Sequence, residues 1–204
     1  MDNTPPRFRS LSLAGYGWMP ADWPMVFYPD DLPESWCVSY YANEFNSILL
    51  PAEGWRKPLL EAAFWQSEVT PDFRFYLEIT QQLLQGDGWV EVQAAVERYL
   101  AGQVTGLLVE ADVADMLPAD WQKQFPIHLL KPATVLAEMP VGADAQTGVL
   151  RTPQALTPLA LRGVFEELQQ SAVHRDIVLF LDVSWNTLEQ IRLMQQIYGI
   201  WASA

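Results

Sequence analysis

Short β-rich runs alternate with amphipathic stretches along almost the whole chain. The strand candidates are Ser10–Gly15, Asn46–Leu50, Phe73–Ile79, Val104–Glu110, Pro126–Leu130, Thr147–Arg151 and Asp176–Val183. Between them lie Glu34–Glu44, Lys57–Gln66, Val90–Ala101, Ala119–Gln124, Leu159–Gln170 and Leu188–Tyr198, with apolar residues at helical spacing. In the last of these Leu188, Ile191, Met194, Gln195 and Tyr198 share a face, and Asn186 with Glu189 reads as its capping pair. Runs such as Ile177-Val-Leu-Phe-Leu181 and Leu107-Leu-Val109 are apolar without alternation. That pattern suits parallel strands covered on both faces.

Parallel strands joined by right-handed helical crossovers read as a TIM-barrel-like (β/α) fold, with a doubly wound open sheet as the rival. Barrels commonly need about 250 residues, and this chain has 204. A shortened or incomplete barrel of seven to eight parallel strands follows, as a single domain over residues 1–204. If it closes, the eighth strand is expected near Ile200-Trp-Ala202, with no final covering helix. The uncovered edge and the apolar C-terminal segment predict self-association, with a homodimer expected over a monomer.

Twelve Lys plus Arg against 25 Asp plus Glu give a formal charge of −13. Such a surface repels phosphate backbones and anionic lipid, so neither nucleic acid nor membrane is expected as a partner. Cys37 is the only cysteine, which leaves no internal disulfide and no thiolate cluster. The N-terminal segment has no basic and apolar signal pattern. A cytoplasmic location is expected.

The first third of the chain is rich in aromatic and proline motifs: Gly17-Trp18, Asp22-Trp23, Phe27-Tyr28-Pro29, Leu32-Pro33, Tyr40-Tyr41 and Phe45-Asn46. Trp65 and Pro71-Asp-Phe-Arg-Phe75 follow. In order and spacing, residues 11–80 resemble the opening of the YecE-like family (domain of unknown function 72). The resemblance implies a TIM-barrel-like fold, and it implies that Trp18 and Trp23 fold a loop across the barrel mouth. A structural packing role is expected for them, with an aromatic-lined cleft for a sugar or base as the alternative. The departures from the family pattern matter as much. Leu49 and Pro51 stand where the family's second strand carries Glu-x-Asn. Glu78 takes the place of a Lys at the end of the third strand, with Gln81 and Gln82 beyond it. Tyr16 and Pro20 replace the Ser and Tyr that flank the Gly-Trp.

In a barrel, chemistry sits where strands end and loops begin. Those ends carry Trp18, Glu78, Glu110 with Asp112, Lys131, Arg151 and Asp182, with Glu53 in the second loop. Asp182 interrupts an apolar run, Leu179-Phe-Leu-Asp-Val183, and must find a partner or a polar cavity. Asp182 and Glu78 are the candidate proton-transfer residues. Trp18, Lys131, Arg151 and Glu110 are the candidate substrate-binding residues. Glu110-x-Asp112 lacks a further ligand pair, so no metal site is assigned. His128, in an apolar strand, reads as a hydrogen-bonded core residue, His174 as solvated, and Cys37 as a packing residue. No nucleotide-binding glycine motif or nucleophile elbow is present, and no cofactor is expected.

Two functions remain. One is a non-catalytic, divergent barrel acting in binding or assembly, which the replaced positions Leu49, Pro51 and Glu78 favour. The other is a small-molecule enzyme acting on an anionic or sugar-like substrate at the strand ends, which the charged ring favours.

Overall fold

The structure is a computed structural model that describes residues 8–132, 134–140, 143, 145–152, 154–171 and 175–198. Seven parallel strands form one sheet: β1 (Ser10–Tyr16), β2 (Ser47–Leu50), β3 (Arg74–Ile79), β4 (Val104–Glu110), β5 (Ile127–Leu130), β6 (Ala145–Arg151) and β7 (Asp176–Asp182). The helices are α1 (Trp23–Val26), α2 (Cys37–Glu44), α3 (Pro58–Glu68), α4 (Gln81–Gln85), α5 (Trp89–Ala95), α6 (Ala111–Ala114), α7 (Ala119–Gln124), α8 (Pro158–Ser171) and α9 (Trp185–Tyr198). α5 runs on through a wider π turn, Val96–Leu100. No helix among the described residues is long and apolar enough to cross a membrane.

The strand order is β5-β4-β3-β2-β1-β7-β6. β1 therefore pairs with β2 on one side and with β7 on the other, as in a barrel, and the open doubly wound alternative is set aside. The break lies between β5 and β6, and a short antiparallel piece fills it. Leu129 and Glu138 exchange backbone hydrogen bonds of 3.1 and 2.7 Å. Ala137 N donates to Thr147 O at 3.0 Å, and Val149 N donates to Val135 O at 2.8 Å. The expected closure through Ile200-Trp-Ala202 lies outside the described residues. The β/α unit that is missing is an internal one, between β5 and β6, and α9 is the helix expected after β7.

Residues of one parity along each strand point into the barrel: Ala14, Tyr16, Leu49, Tyr76, Leu108 and Phe180 form a buried inner cluster. The other parity (Leu11, Ile48, Phe75, Leu77, Val109, Leu179 and Leu181 among them) joins a larger core beneath the helices. Burial on both faces explains the unbroken apolar runs.

β1 and β2 are paired only at Gly15↔Ile48 and Tyr16↔Leu49. A side chain supplements this short ladder: the Tyr41 hydroxyl accepts from Gly15 N at 2.6 Å and donates to Ser47 O at 2.9 Å. A Cβ at residue 15 would lie 2.7 Å from Gly17 O, so only glycine allows this approach.

Candidate functional site

The C-terminal ends of the strands converge on Tyr16, the last residue of β1. Its ring reaches into the mouth, and the residue is 6 % exposed. The hydroxyl donates to Glu78 Oε2 at 2.6 Å and accepts from Arg151 Nη1 at 3.1 Å. Glu78 is the penultimate residue of β3 and Arg151 closes β6, so one phenol bridges strands on both sides of β1. Glu78 Oε2 also accepts from Ala52 N at 3.1 Å. The Arg151 guanidinium lies over the Tyr16 ring, 4.3 Å from its centroid. Its Nε meets Asp182 Oδ2 at 3.3 Å. The chain Asp182–Arg151–Tyr16–Glu78–Ala52 therefore runs across the mouth.

Burial and the Glu78 carboxylate both push the Tyr16 phenol far above its ordinary pKa, with the nearby charge of Glu53 adding to the effect. The phenol stays protonated and acts as donor to Glu78. In the sequence Tyr16 stands out only as a departure from the family pattern. Its parity with Ala14 on β1 was the signal that aims it inward.

The remaining expected site residues lie elsewhere. Glu110, Asp112 and Lys131 line a cavity of about 430 Å³ between the ends of β4 and β5. Lys131 Nζ turns to Glu138 Oε2 at 3.0 Å, on the segment that fills the barrel wall. Among the described residues, no group of three His, Cys, Asp or Glu side chains is arranged to hold a metal ion.

Trp18 takes the expected packing role, but away from the mouth rather than in a loop folded over it. It packs in the outer layer against Tyr41, Trp65, Phe73 and Phe75, with ring centroids 5.3 to 6.4 Å apart. Trp23 is buried under the start of α9 and donates its indole N–H to Val183 O at 2.9 Å. The physical reason is area: large aromatic rings gain by packing on one another, Trp23 fully buried and Trp18 partly so.

His128 points into the barrel and is 2 % exposed. Its Nδ1 has no partner among the described residues, which corrects the expectation of a hydrogen-bonded core histidine. Cys37 opens α2 and is buried, and burial pushes its thiol pKa up. His174 lies outside the described residues.

These features define an α/β barrel of TIM type with one internal unit replaced and its mouth crossed by a tyrosine network. The same fold is seen in the crystal structure of a DUF72 family protein from Enterococcus faecalis V583. The two align with a TM-score of 0.58 at 11 % identity, over 95 % of this chain and 99 % of that one. The resemblance read from the first third of the sequence thus extends to the fold of nearly the whole chain. No protein-family model matches the sequence, and no curated protein matches it.

Proposed function

We propose that this chain is a non-catalytic, divergent barrel that acts in binding or assembly. The observation behind this reading is that positions departing from the family pattern meet one another. Tyr16, in place of Ser, donates to Glu78, in place of Lys. Leu49 packs in the same inner cluster as Tyr16. Groups that would act on a substrate are spent on each other: Glu78 Oε2 takes a hydroxyl and an amide, and Arg151 serves Asp182 and the phenol. A mouth wired in this way holds strands together. Homodimerisation is one form the assembly role would take.

The test is thermal and chemical denaturation of Tyr16→Phe and Glu78→Gln. Each removes or weakens a hydrogen bond to a part-buried partner. The expected loss is about 1–3 kcal/mol, or a Tm lower by roughly 3–10 °C for a chain of this size. Catalytic residues are commonly held at a cost in stability, so replacing them leaves Tm unchanged or raises it. An unchanged or higher Tm in both variants would overturn the structural reading.

One observation favours a second reading, an enzyme for an anionic or sugar-like substrate with Asp182 or Glu78 moving protons. The side chains of Arg151 and Asp182 are 50 % and 30 % exposed, so part of the network faces solvent. Glu110 and Lys131 would then extend the site from the neighbouring cavity. Turnover of sugars or phosphorylated metabolites, abolished by Arg151→Ala, would establish it.

A further inference from the structure

We propose that the loop after β1 and the start of α2 form a docking surface for a basic, amphipathic segment of another protein. The segment would carry an apolar anchor flanked by lysines or arginines. This deepens the binding reading above and rests on it.

Exposed apolar side chains fall on these two segments. Met25, Trp36, Val26 and Met19 are 78, 60, 56 and 46 % exposed in that order. Beside them a groove of about 500 Å³ is lined by Met19, Met25, Tyr28, Leu32, Asp30 and Glu34. Exposed hydrophobics beside a groove mark contact sites more often than chance, and methionine lips adapt to the shape of an entering side chain.

The surface is also held in place. The Tyr28 hydroxyl donates to Trp18 O at 2.5 Å. Asp22 Oδ1 accepts from Trp185 N at 2.6 Å, which ties the loop to α9. A preformed surface loses little conformational freedom on binding.

Charge selects the occupant. From Ser10 to Trp55 the sequence has no Lys or Arg, while Asp22, Asp30, Asp31, Glu34, Glu44 and Glu53 all fall in that stretch. Asp30, Asp31 and Glu34 are exposed, and none has an ion-pair partner among the described residues. A second copy of a chain with formal charge −13 would bring the same acidic rim against this one, which is unfavourable. A cationic segment would find both an apolar seat and complementary charge.

The experiment uses the full chain and three fluorescent peptides: a Lys/Leu amphipathic helix, its Glu/Leu counterpart, and a Lys/Ser control without apolar anchors. Fluorescence anisotropy should show binding of the Lys/Leu peptide that weakens with salt. Met25→Ser with Trp36→Ser should weaken it by about tenfold, as expected for loss of anchoring contacts. Asp30→Asn with Glu34→Gln should weaken it severalfold and flatten the salt dependence. All these side chains are exposed, so Tm should stay near that of the unmodified chain. The proposal is overturned if the Lys/Ser control binds as tightly as Lys/Leu, or if the Met25/Trp36 variant binds unchanged. It is equally overturned if sedimentation finds a dimer that Met25→Asp dissolves, since a second copy would then own the face. The mouth variants do not touch this surface, so failure here and failure of the non-catalytic reading are read from different measurements.

Discussion

His128 and Gly106 are a matched pair inside the barrel. A Cβ on residue 106 would lie 2.8 Å from His128 Nε2, so the imidazole occupies space that only glycine leaves free. The ring packs edge-on to Tyr76, with centroids 6.2 Å apart. Burial without an anionic partner lowers its pKa from 6.5 to about 4. Protonation therefore favours the unfolded chain, which binds the proton near pH 6.5 while the folded chain resists it until about pH 4. The stability tied to a neutral His128 is fully present above the unfolded pKa and is lost as the pH falls toward the folded one. Between pH 7 and pH 4.5 this amounts to about 2 kcal/mol. Urea unfolding at the two pH values, on the parent chain and on His128→Leu, isolates the effect. The variant should lose less stability on acidification by that amount, and equal losses would mean that the ring is not titrating from the barrel interior.

The helix that follows β7 shows how a distant contact resets a local element. The sequence reading placed its cap at Asn186, but α9 begins at Trp185, and Ser184 precedes it. Ser184 Oγ accepts from Thr187 N at 3.3 Å and meets Thr187 Oγ1 at 3.0 Å. Asp22, far away in sequence, takes the Trp185 N–H and so supports the earlier start. Glu189 does not reach back and instead meets Arg192 at 3.2 Å. Ser184→Ala should therefore cost about 1 kcal/mol, and Asn186→Ala no more than a few tenths. Denaturant midpoints of the two variants decide it, and the reverse order would restore the local cap. The same contrast explains what was legible in the sequence. The seven strands could be read because Leu107, Val109, Ile177 and Leu179 face the helices while Leu108 and Phe180 face the barrel interior, leaving unbroken apolar runs. The meeting of Glu78, Arg151 and Asp182 at the mouth followed from strand ends alone. What could not be read were the contacts made across many residues: the phenol of Tyr16 between β3 and β6, the burial of Trp18 outside the barrel, and the turn of Lys131 toward Glu138.

At the scale of the molecule, the question is how a chain of 204 residues completes a wall that normally takes about 250. β6 and β7 take the last two barrel positions, because β7 pairs with β1 along its length. The saving falls between β5 and β6, where Val135–Glu138 runs antiparallel to both neighbours in place of a strand and its helix. Glu167 from α8 supports this piece by accepting from Val135 N at 2.8 Å. If the piece is part of the wall, its amides are protected only as long as the barrel is whole. Hydrogen exchange at Leu129, Glu138, Ala137 and Val149 should then be as slow as at the β6–β7 ladder. Ala137→Pro removes the N–H given to Thr147 O and should cost about 1–3 kcal/mol, with faster exchange at all these amides together. Fast exchange there in the parent chain, with β6 still protected, would make the segment a loop lying over an open seam. The sheet would then have two free edges, at β5 and β6, and strand addition there would become the expected route to a homodimer.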